Sequence, residues 1–272
     1  MHSRPIDTDW NAEWMQLQAG REFPRDASYW DKRADDFSAT GDASAYALTF
    51  IEYAGLLPGE SVLDVGSGSG TLALPLARAG HPVRAVDFSE RMLAIMQAQA
   101  AEEGLGDLKA VRASWEDDWP AAGIGAADVA VASRSIAVTD LRAALRKLDA
   151  SARRRVCLTA GVDGVLPALV AHAAVGRDYR QHHDYVYVVN VLFQMGILPD
   201  VRFMRHEWNQ PFAGVEDARA VISRLIAPLD GREEALLGRY LAEHLREAGG
   251  GLWKLDQTIV TTWAFIAWDK EV

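Results

Sequence analysis

Three glycines at alternate positions follow a short apolar stretch that carries one carboxylate. The segment reads Val62-Leu63-Asp64-Val65-Gly66-Ser67-Gly68-Ser69-Gly70. Glycine is required where the backbone turns with φ > 0, or where a ligand must approach closer than a Cβ atom allows. Residues 71–77 look like the start of a helix, whose free N–H groups would face such a ligand. The pattern therefore predicts a nucleotide-type loop between a strand and a helix.

The spacing of these glycines separates two classes of nucleotide site. The dinucleotide fingerprint G-x-G-x-x-G places its third glycine where the helix packs on the strand. Here the third glycine comes one residue earlier and Thr71 occupies the corresponding position, which argues against NAD or FAD. The segment instead resembles the D/E-x-G-x-G-x-G motif of the class I S-adenosylmethionine-dependent methyltransferase family.

The resemblance implies a role for each residue of the loop. In the family the loop backbone, here at Gly66, Ser67, Gly68 and Gly70, lies against the methionine part of the cofactor S-adenosylmethionine. The carboxylate, here Asp64, binds the amino group of the cofactor directly or through water. A second interpretation, compatible with the first, is that Asp64 is a structural acid whose oxygens accept N–H groups of the loop.

A second acid stands at the end of the next apolar stretch. Residues 81–89 predict a strand that ends at Asp87, 17 residues after Gly70. A charged acceptor there can take both hydrogen bonds from two ribose hydroxyls, so we expect Asp87 to bind ribose. Phe88 and Met92 are expected beside the cofactor. The alternative for Asp87 is a turn residue or a helix cap, because a helix follows.

A third strand is predicted near Leu108 to Arg112, and it leads to Ser114 and Trp115. The resemblance implies that this segment contacts adenine through backbone groups and one side chain. The sequence departs from the commoner family pattern here, because Ser114 stands in place of an acid. Trp115 either stacks on adenine or covers apolar side chains at the surface.

A fourth strand is predicted to run through residues 128–135 into a polar loop that contains Ser133 and Arg134. In the family this loop reaches the transferred methyl group. We therefore expect Ser133 beside the cofactor and Arg134 near the methyl acceptor. The alternative for Arg134 is an ordinary solvated base.

The N-terminal part of the chain is rich in aromatic side chains. Residues 1–50 are predicted to form a helical cap, because their short amphipathic patterns must lay these aromatics onto another surface. The segment Tyr29-Trp30-Asp31-Lys32-Arg33-Ala34 resembles a stretch that precedes many small-molecule methyltransferase domains and closes over the cofactor. The resemblance implies that Trp30 contacts the cofactor. Packing of the aromatics against the sheet is the alternative.

Residues 51–272 are predicted to form the Rossmann-like methyltransferase domain, with substrate-side helical insertions at 165–185 and 212–251. Neighbouring histidines in the first insertion point in different directions, so no metal site is expected. A general base is needed only if the acceptor must lose a proton. Arg134, Tyr185 and His183 are the catalytic candidates. The groups that could act as a base are His172, His182, His183, His206 and Tyr185.

The elements that position these residues alternate between strands and helices. Cys157 lies in an apolar run that predicts a fifth strand, and a sixth is predicted near residues 201–208. Two amphipathic helices over 215–248 and a β-branched closing strand over 257–268 follow. This alternation requires a doubly wound α/β fold with a parallel sheet. The resemblance adds seven strands in the order 3-2-1-4-5-7-6, with the last strand antiparallel.

Composition narrows the classes of partner. The chain has 272 residues, 49% of them hydrophobic, and a net charge of −10. A phosphate backbone needs several converging cations, so a nucleic acid partner is not expected. The sequence contains no apolar run of the length that spans a membrane. With a single cysteine and a polar N-terminal segment, the chain is expected to be cytoplasmic. A monomer or a homodimer is expected.

These observations favour S-adenosylmethionine-dependent methyl transfer to a small molecule by in-line displacement. The loop after the fourth strand lacks the N/D-P-P-Y/F sequence that marks methylation of DNA exocyclic amines and of glutamine. Two alternatives stay open at this stage. One is a non-catalytic protein that binds S-adenosylmethionine or S-adenosylhomocysteine, and the other is a dinucleotide-dependent oxidoreductase.

Overall fold

The structure is a computed structural model that describes residues 7–21, 28–31, 34, 45–162, 166–178, 183–208, 211–226 and 228–270. The helices within these ranges are α1 (Trp10–Ala19), α2 (Ala45–Ala54), α3 (Ala73–Arg78), α4 (Glu90–Glu102), α5 (Leu141–Ala150), α6 (Leu166–Ala174), α7 (Asp184–Gln194), α8 (Val215–Ile226) and α9 (Gly231–His244). The strands are β1 (Val62–Val65), β2 (Val83–Asp87), β3 (Leu108–Arg112), β4 (Ala127–Ala132), β5 (Ala152–Gly161), β6 (Asp200–Trp208), β7 (Leu245–Gly249), β8 (Leu252–Leu255) and β9 (Ile259–Asp269).

Seven of these strands form one sheet in the order β3-β2-β1-β4-β5-β9-β6. The pairs β1–β2, β2–β3, β1–β4 and β4–β5 are parallel. All four residues of β1 are buried, as expected for a strand covered by helices on both faces. With β9 counted as the seventh strand of the sheet, the predicted order is confirmed.

The closing strand β9 runs antiparallel to β5. The Val162 N–H donates to the Thr262 carbonyl, whereas the Lys270 N–H donates to the Arg154 carbonyl. The residue numbers of the β9 partners therefore fall as those of β5 rise, so the two strands run in opposite directions, as in an antiparallel pair. This orientation of the last strand confirms the prediction.

Two local predictions were wrong. The second of the two predicted amphipathic helices does not continue to residue 248, because α9 ends at His244 and β7 pairs with β8 in an antiparallel hairpin. Gly249 at the end of β7 and the following Gly250 and Gly251 have φ values of 87°, 64° and 77°, which favour a turn over a helix end. The helix after the glycine loop also begins at Ala73 and not at Thr71.

The chain divides into two compact units, which we describe separately. The first comprises Met1–Ala160, Tyr185–Met204 and Ala264–Val272, and it contains β1 to β4 with their helices. Near its N-terminus the fully buried Trp14 of α1 donates its indole N–H to the Val138 carbonyl at 2.8 Å. Asn11 of the same helix donates to Asp140, which caps α5. Helix α1 is thereby attached to the segment that follows β4.

The second unit comprises Gly161–Asp184 and Arg205–Trp263 and has its own apolar core. Buried side chains of α6, α8 and α9 form this core together with Phe212 and Leu245. The Arg177 guanidinium binds Glu233 with two hydrogen bonds of 2.6 Å and also donates to the Ile226 and Pro228 carbonyls. Asp230 and Glu233 form a capping box at the start of α9. No helix in the described ranges combines the length and the apolar character that crossing a membrane requires.

Candidate active site

The three glycines after β1 serve different structural purposes. Gly66, Gly68 and Gly70 have φ values of 70°, 54° and 98°, in the left-handed region that favours glycine. A Cβ atom on Gly66 would lie 2.2 Å from the Ser135 Cβ, and one on Gly70 would lie 2.8 Å from Leu74. A Cβ atom on Gly68 would meet no described atom within 4 Å. Gly66 and Gly70 are therefore needed for internal packing, whereas Gly68 faces open space.

Asp64 is buried at the base of this loop with one carboxylate oxygen unsatisfied. The Ala73 N–H at the start of α3 donates to its carboxylate. The Asp64 Oδ2 and the buried Ser67 Oγ have no hydrogen-bond partner in the described part of the chain. Burial, with a smaller contribution from the Asp87 charge, raises the pKa of Asp64 to about 7. A buried acceptor without a donor costs free energy. Binding of a ligand that donates a hydrogen bond here, above all a cationic ligand, would therefore be favourable.

Asp87 ends β2 and holds the loop from the other side. Its Oδ2 accepts the Gly68 N–H at 2.8 Å, and its Oδ1 accepts the Ser89 N–H at 2.9 Å. The Phe88 N–H also donates to this carboxylate. Because a carboxylate has about four lone-pair sites, acceptor capacity remains for a ligand hydroxyl. Burial raises the pKa of Asp87, and the carboxylate of Asp31 adds to this shift. The cap of α4 is Ser89 and not Asp87, because the Ser89 Oγ accepts the Met92 N–H.

Trp115 is joined to the glycine loop through Ser135. Its indole N–H donates to the Ser135 carbonyl at 3.0 Å, and the Ser135 hydroxyl donates to the Val65 carbonyl at 2.6 Å. The Trp119 indole N–H donates to the Ser114 carbonyl and so holds the backbone of Ser114 in place. The ends of β3 and β4 therefore meet beside the end of β1.

At the end of β4, a buried tyrosine links three elements. The Tyr46 hydroxyl lies 2.7 Å from the Ser133 Oγ and 2.8 Å from the Thr159 Oγ1. Burial raises the pKa of Tyr46, and the nearby Arg134 charge opposes this shift. Arg134 donates its backbone N–H to the Thr159 Oγ1, and its guanidinium carbon lies 4.3 Å from the Tyr46 ring centroid. Helix α2 and strand β5 thereby position the polar loop after β4.

Sequence reasoning did not identify Tyr46 or Thr159 as parts of this region, and it gave Ser135 and Asp31 no role of their own within the segments that it assigned to the site. Thr159 carried a recognisable signal, because it is a hydroxyl side chain within the otherwise apolar stretch of β5 from Val156 to Ala160. Tyr46 carried none, since it is one of many aromatics in the N-terminal part. Asp31 reaches the site through the Ser89 hydroxyl, which donates to its carboxylate.

The other predicted site residues are placed as follows. Met92 is buried in α4, and Phe88 is half-buried between β2 and α4. The Trp30 ring packs edge-on against Tyr29 at 5.3 Å, next to Asp31. Tyr185 packs edge-on against Phe203 at 5.7 Å. None of the hydrogen bonds described for these four residues reaches the glycine loop.

The histidines that the sequence offers as bases lie in the second unit or outside the described residues. His183 and His172 have their Nδ1 atoms against the Val162 and Ala168 carbonyls. His206 lies in the second unit as well, and His182 falls outside the described ranges. Across the described ranges, no group of three His, Cys, Asp or Glu side chains is arranged to hold a metal ion.

A sheet of this strand order, with a glycine loop after β1 and acids at the ends of β1 and β2, defines a Rossmann-like methyltransferase fold. A profile of the methyltransferase domain family matches residues 62–154. An uncharacterised protein of Haemophilus influenzae is 36% identical over 209 residues, which cover 75% of this chain and 77% of that protein.

Two further similarities cover other ranges. A ubiquinone biosynthesis O-methyltransferase of Hahella chejuensis is 31% identical over 93 residues, which cover 34% of this chain and 39% of that enzyme. The YcgJ protein of Bacillus subtilis has the same fold, with a TM-score of 0.54 at 17% identity over 84% of this chain and 100% of that protein. The chain belongs to the class I S-adenosylmethionine-dependent methyltransferase family. It is a methyltransferase whose cofactor is S-adenosylmethionine.

Proposed function

We propose that this enzyme transfers the methyl group to a small-molecule acceptor by in-line displacement. S-adenosylmethionine supplies a methyl group that is already activated by a sulfonium leaving group. The protein must then align the reactants and exclude water, and proximity can provide most of the acceleration. The net charge of −10 disfavours a nucleic acid acceptor. The partial similarity to an enzyme named for ubiquinone biosynthesis also supports a small acceptor.

Two observations carry the cofactor assignment: the Asp64 Oδ2 and the Ser67 Oγ are each buried without a hydrogen-bond partner among the described residues, and a Cβ atom on Gly68 would meet only open space. The methionine part of the cofactor carries an ammonium group, which is a donor of the kind that the Asp64 Oδ2 lacks. An ammonium group would also favour the ionised form of Asp64 and offset the burial that raises its pKa. The residues of this loop therefore fit the cofactor of the family.

The adenosine part is assigned to the ends of β2 and β3. Asp87 would accept a ribose hydroxyl with the acceptor capacity that the Gly68, Ser89 and Phe88 N–H groups leave free. Phe88 and Met92 would border the ribose and adenine, and Ser114 and Trp115 would bind adenine. Because its indole is attached to Ser135, Trp115 can offer a ring face without moving.

The acceptor side is assigned to the loop after β4. Ser133 and Arg134, held by Tyr46, would border the reacting methyl group. We also propose that Trp30 contacts the cofactor, and we keep Tyr185 and His183 as catalytic candidates. The N-terminal cap at 1–50 and the insertions at 165–185 and 212–251 are proposed as the segments on the substrate side. We further propose a cytoplasmic monomer or homodimer, which cell fractionation and light scattering would test.

Labelled methyl transfer provides the direct test of this proposal. The enzyme would be incubated with methyl-labelled S-adenosylmethionine and a cell extract divided by ultrafiltration into small molecules and macromolecules. We expect label in the small-molecule fraction, and much less when Asp87→Asn replaces the parent. Label that appears only in the protein or nucleic acid fraction would contradict the small acceptor. Glu90→Gln, at an exposed neighbouring position, is the matched control.

A further inference from the structure

Arg134 differs from its surroundings in the conformation of its backbone. Within the described ranges it is the only residue other than glycine with a positive φ, at 55°. Such a conformation costs roughly 1–2 kcal/mol for a residue with a side chain. Strained positions of this kind persist where the surrounding structure over-determines them, and they cluster at ligand sites.

The same two side chains fix both the backbone and the guanidinium of Arg134. Its N–H donates to the Thr159 Oγ1 at 3.0 Å, and Thr159 also binds the Tyr46 hydroxyl. The guanidinium lies over the ring of Tyr46, which is only 3% exposed. A guanidinium stacked on a ring keeps its N–H donors free in its own plane. The ring of Tyr46 therefore positions the guanidinium of the exposed Arg134 before any ligand arrives.

The guanidinium of Arg134 has no acidic partner among the described residues. Other arginines of this acidic chain do have partners, as in the pairs of Arg78 with Glu103 and Arg177 with Glu233. Asp64 and Asp87, by contrast, concentrate negative charge at the ends of β1 and β2. An anion would be repelled there and attracted at the end of β4.

We propose that Arg134 binds an oxyanion, a carboxylate or a phosphate, at the β4 end of the active site. This inference rests on the proposed function, because it gives the methyl acceptor an anionic group. The carboxylate of the cofactor offers the same chemistry and is the other possible source. A planar guanidinium recognises either oxyanion through two parallel hydrogen bonds.

The test follows the side-chain Nε–Hε signal of Arg134 by nitrogen-15 NMR in the full-length enzyme. The signal is assigned from its absence in Arg134→Asn, since asparagine tolerates the left-handed conformation. Benzoate and inorganic phosphate are titrated into the S-adenosylhomocysteine complex. We expect a saturable shift for at least one of them in the parent, and calorimetry with the same anion should show an affinity roughly tenfold or more weaker in Arg134→Asn. Arg146→Gln, which removes an exposed charge on α5, should bind like the parent.

A second titration identifies the source of the oxyanion. S-adenosylmethionine is compared with its decarboxylated analogue, which lacks only the carboxylate. If Arg134 shifts with the first compound alone and then ignores benzoate and phosphate, the cofactor carboxylate is the ligand and the acceptor assignment is overturned. If Arg134 responds to none of the four probes, oxyanion binding itself is overturned.

Calorimetry with S-adenosylhomocysteine on the same samples tests the underlying function separately. Binding without any response of Arg134 contradicts only the inference, whereas failure to bind contradicts the cofactor site. The Arg134 signal of the parent is sufficient for this distinction, so the outcome does not depend on the stability of a variant. Arg134→Lys, which keeps the charge without the planar donor set, should retain part of the anion affinity.

Discussion

At the scale of single residues, the site combines an unsatisfied acid with a satisfied one. Asp64 keeps one oxygen without a donor, whereas both oxygens of Asp87 accept backbone N–H groups. Burial raises the pKa of each carboxylate, and their mutual repulsion adds to the shift at Asp64. The free enzyme therefore bears the cost of a buried carboxylate oxygen without a donor.

Replacing Asp64 by asparagine should stabilise the cofactor-free enzyme at neutral and alkaline pH. The pKa of Asp64 rises from 3.8 to about 7 on folding, so the folded state binds more protons and the stability of the parent falls between these pH values. The full cost, reached above pH 7, is at most about 4 kcal/mol. Urea unfolding at pH 5 and pH 8 should show a larger gain for Asp64→Asn at pH 8. An equal gain at both pH values, or one matched by the exposed control Asp107→Asn, would contradict the buried ionisation.

Replacing Asp87 by alanine should weaken S-adenosylhomocysteine binding by roughly 1–3 kcal/mol, the loss expected when a charged acceptor of hydroxyl groups is removed. Calorimetry measures this change. Because Asp87 also holds the Gly68 N–H, Asp87→Asn separates the two roles by keeping an acceptor for that bond. Parental affinity in Asp87→Ala would mean that the acid only shapes the turn.

At the scale of elements, the glycine loop is the junction of β1, α3 and the segment after β4. Ser135 connects this junction, because it binds the Val65 carbonyl and the Trp115 indole and lies against Gly66. Packing therefore constrains one part of the loop, while the part at Gly68 remains accessible to a ligand.

Alanine substitution should mainly reduce folding stability at Gly66 and mainly weaken ligand binding at Gly68. Gly66→Ala would push a methyl group into Ser135, so we expect a loss of more than about 2 kcal/mol of folding stability. Gly68→Ala meets no described atom and should cost only the roughly 1–2 kcal/mol of its left-handed backbone. S-adenosylhomocysteine binding should nevertheless be weakened at Gly68. Denaturation together with calorimetry measures both effects, and equal stability losses with intact binding at Gly68 would contradict this division.

At the scale of the whole molecule, two compact units have separate cores. The first contains the glycine loop and the end of β4. The second is organised around α6, α8 and α9, with Arg177 binding Glu233 and two carbonyl groups. The Arg177 charge and its hydrogen bonds lower the pKa of Glu233 to about 2.

Breaking this contact should loosen the second unit selectively. Arg177→Gln removes the charged donor from Glu233 and from the Ile226 and Pro228 carbonyls. Hydrogen exchange followed by mass spectrometry should then show faster exchange in α6, α8 and α9, with β1 to β4 unchanged. In the parent, the stability due to the lowered Glu233 pKa should be lost as the pH falls from about 4 towards 2. Uniform acceleration of exchange across both units would contradict independent cores.

The sequence alone was sufficient to predict structural features that depend on a few consecutive residues. The glycine loop, Asp64 before it and Asp87 at the end of the next strand are each set by a few consecutive residues, and the resemblance supplied the strand order. Local pattern was insufficient where two outcomes had similar apolar spacing. The apolar side chain of Leu245 would suit either a helix or a strand. In the structure Leu245 is buried and pairs with Leu255 in the hairpin, so it belongs to a strand.

Only the tertiary structure revealed the contacts between distant segments. Tyr46 binds Thr159, 113 residues away, and together they hold Arg134 in its left-handed conformation. Asp31 joins Ser89 from 58 residues away. No spacing rule along the chain encodes such pairs, because they depend on which helix covers which end of the sheet. Local residue patterns therefore determined the glycine loop, whereas long-range packing decided what surrounds the end of β4.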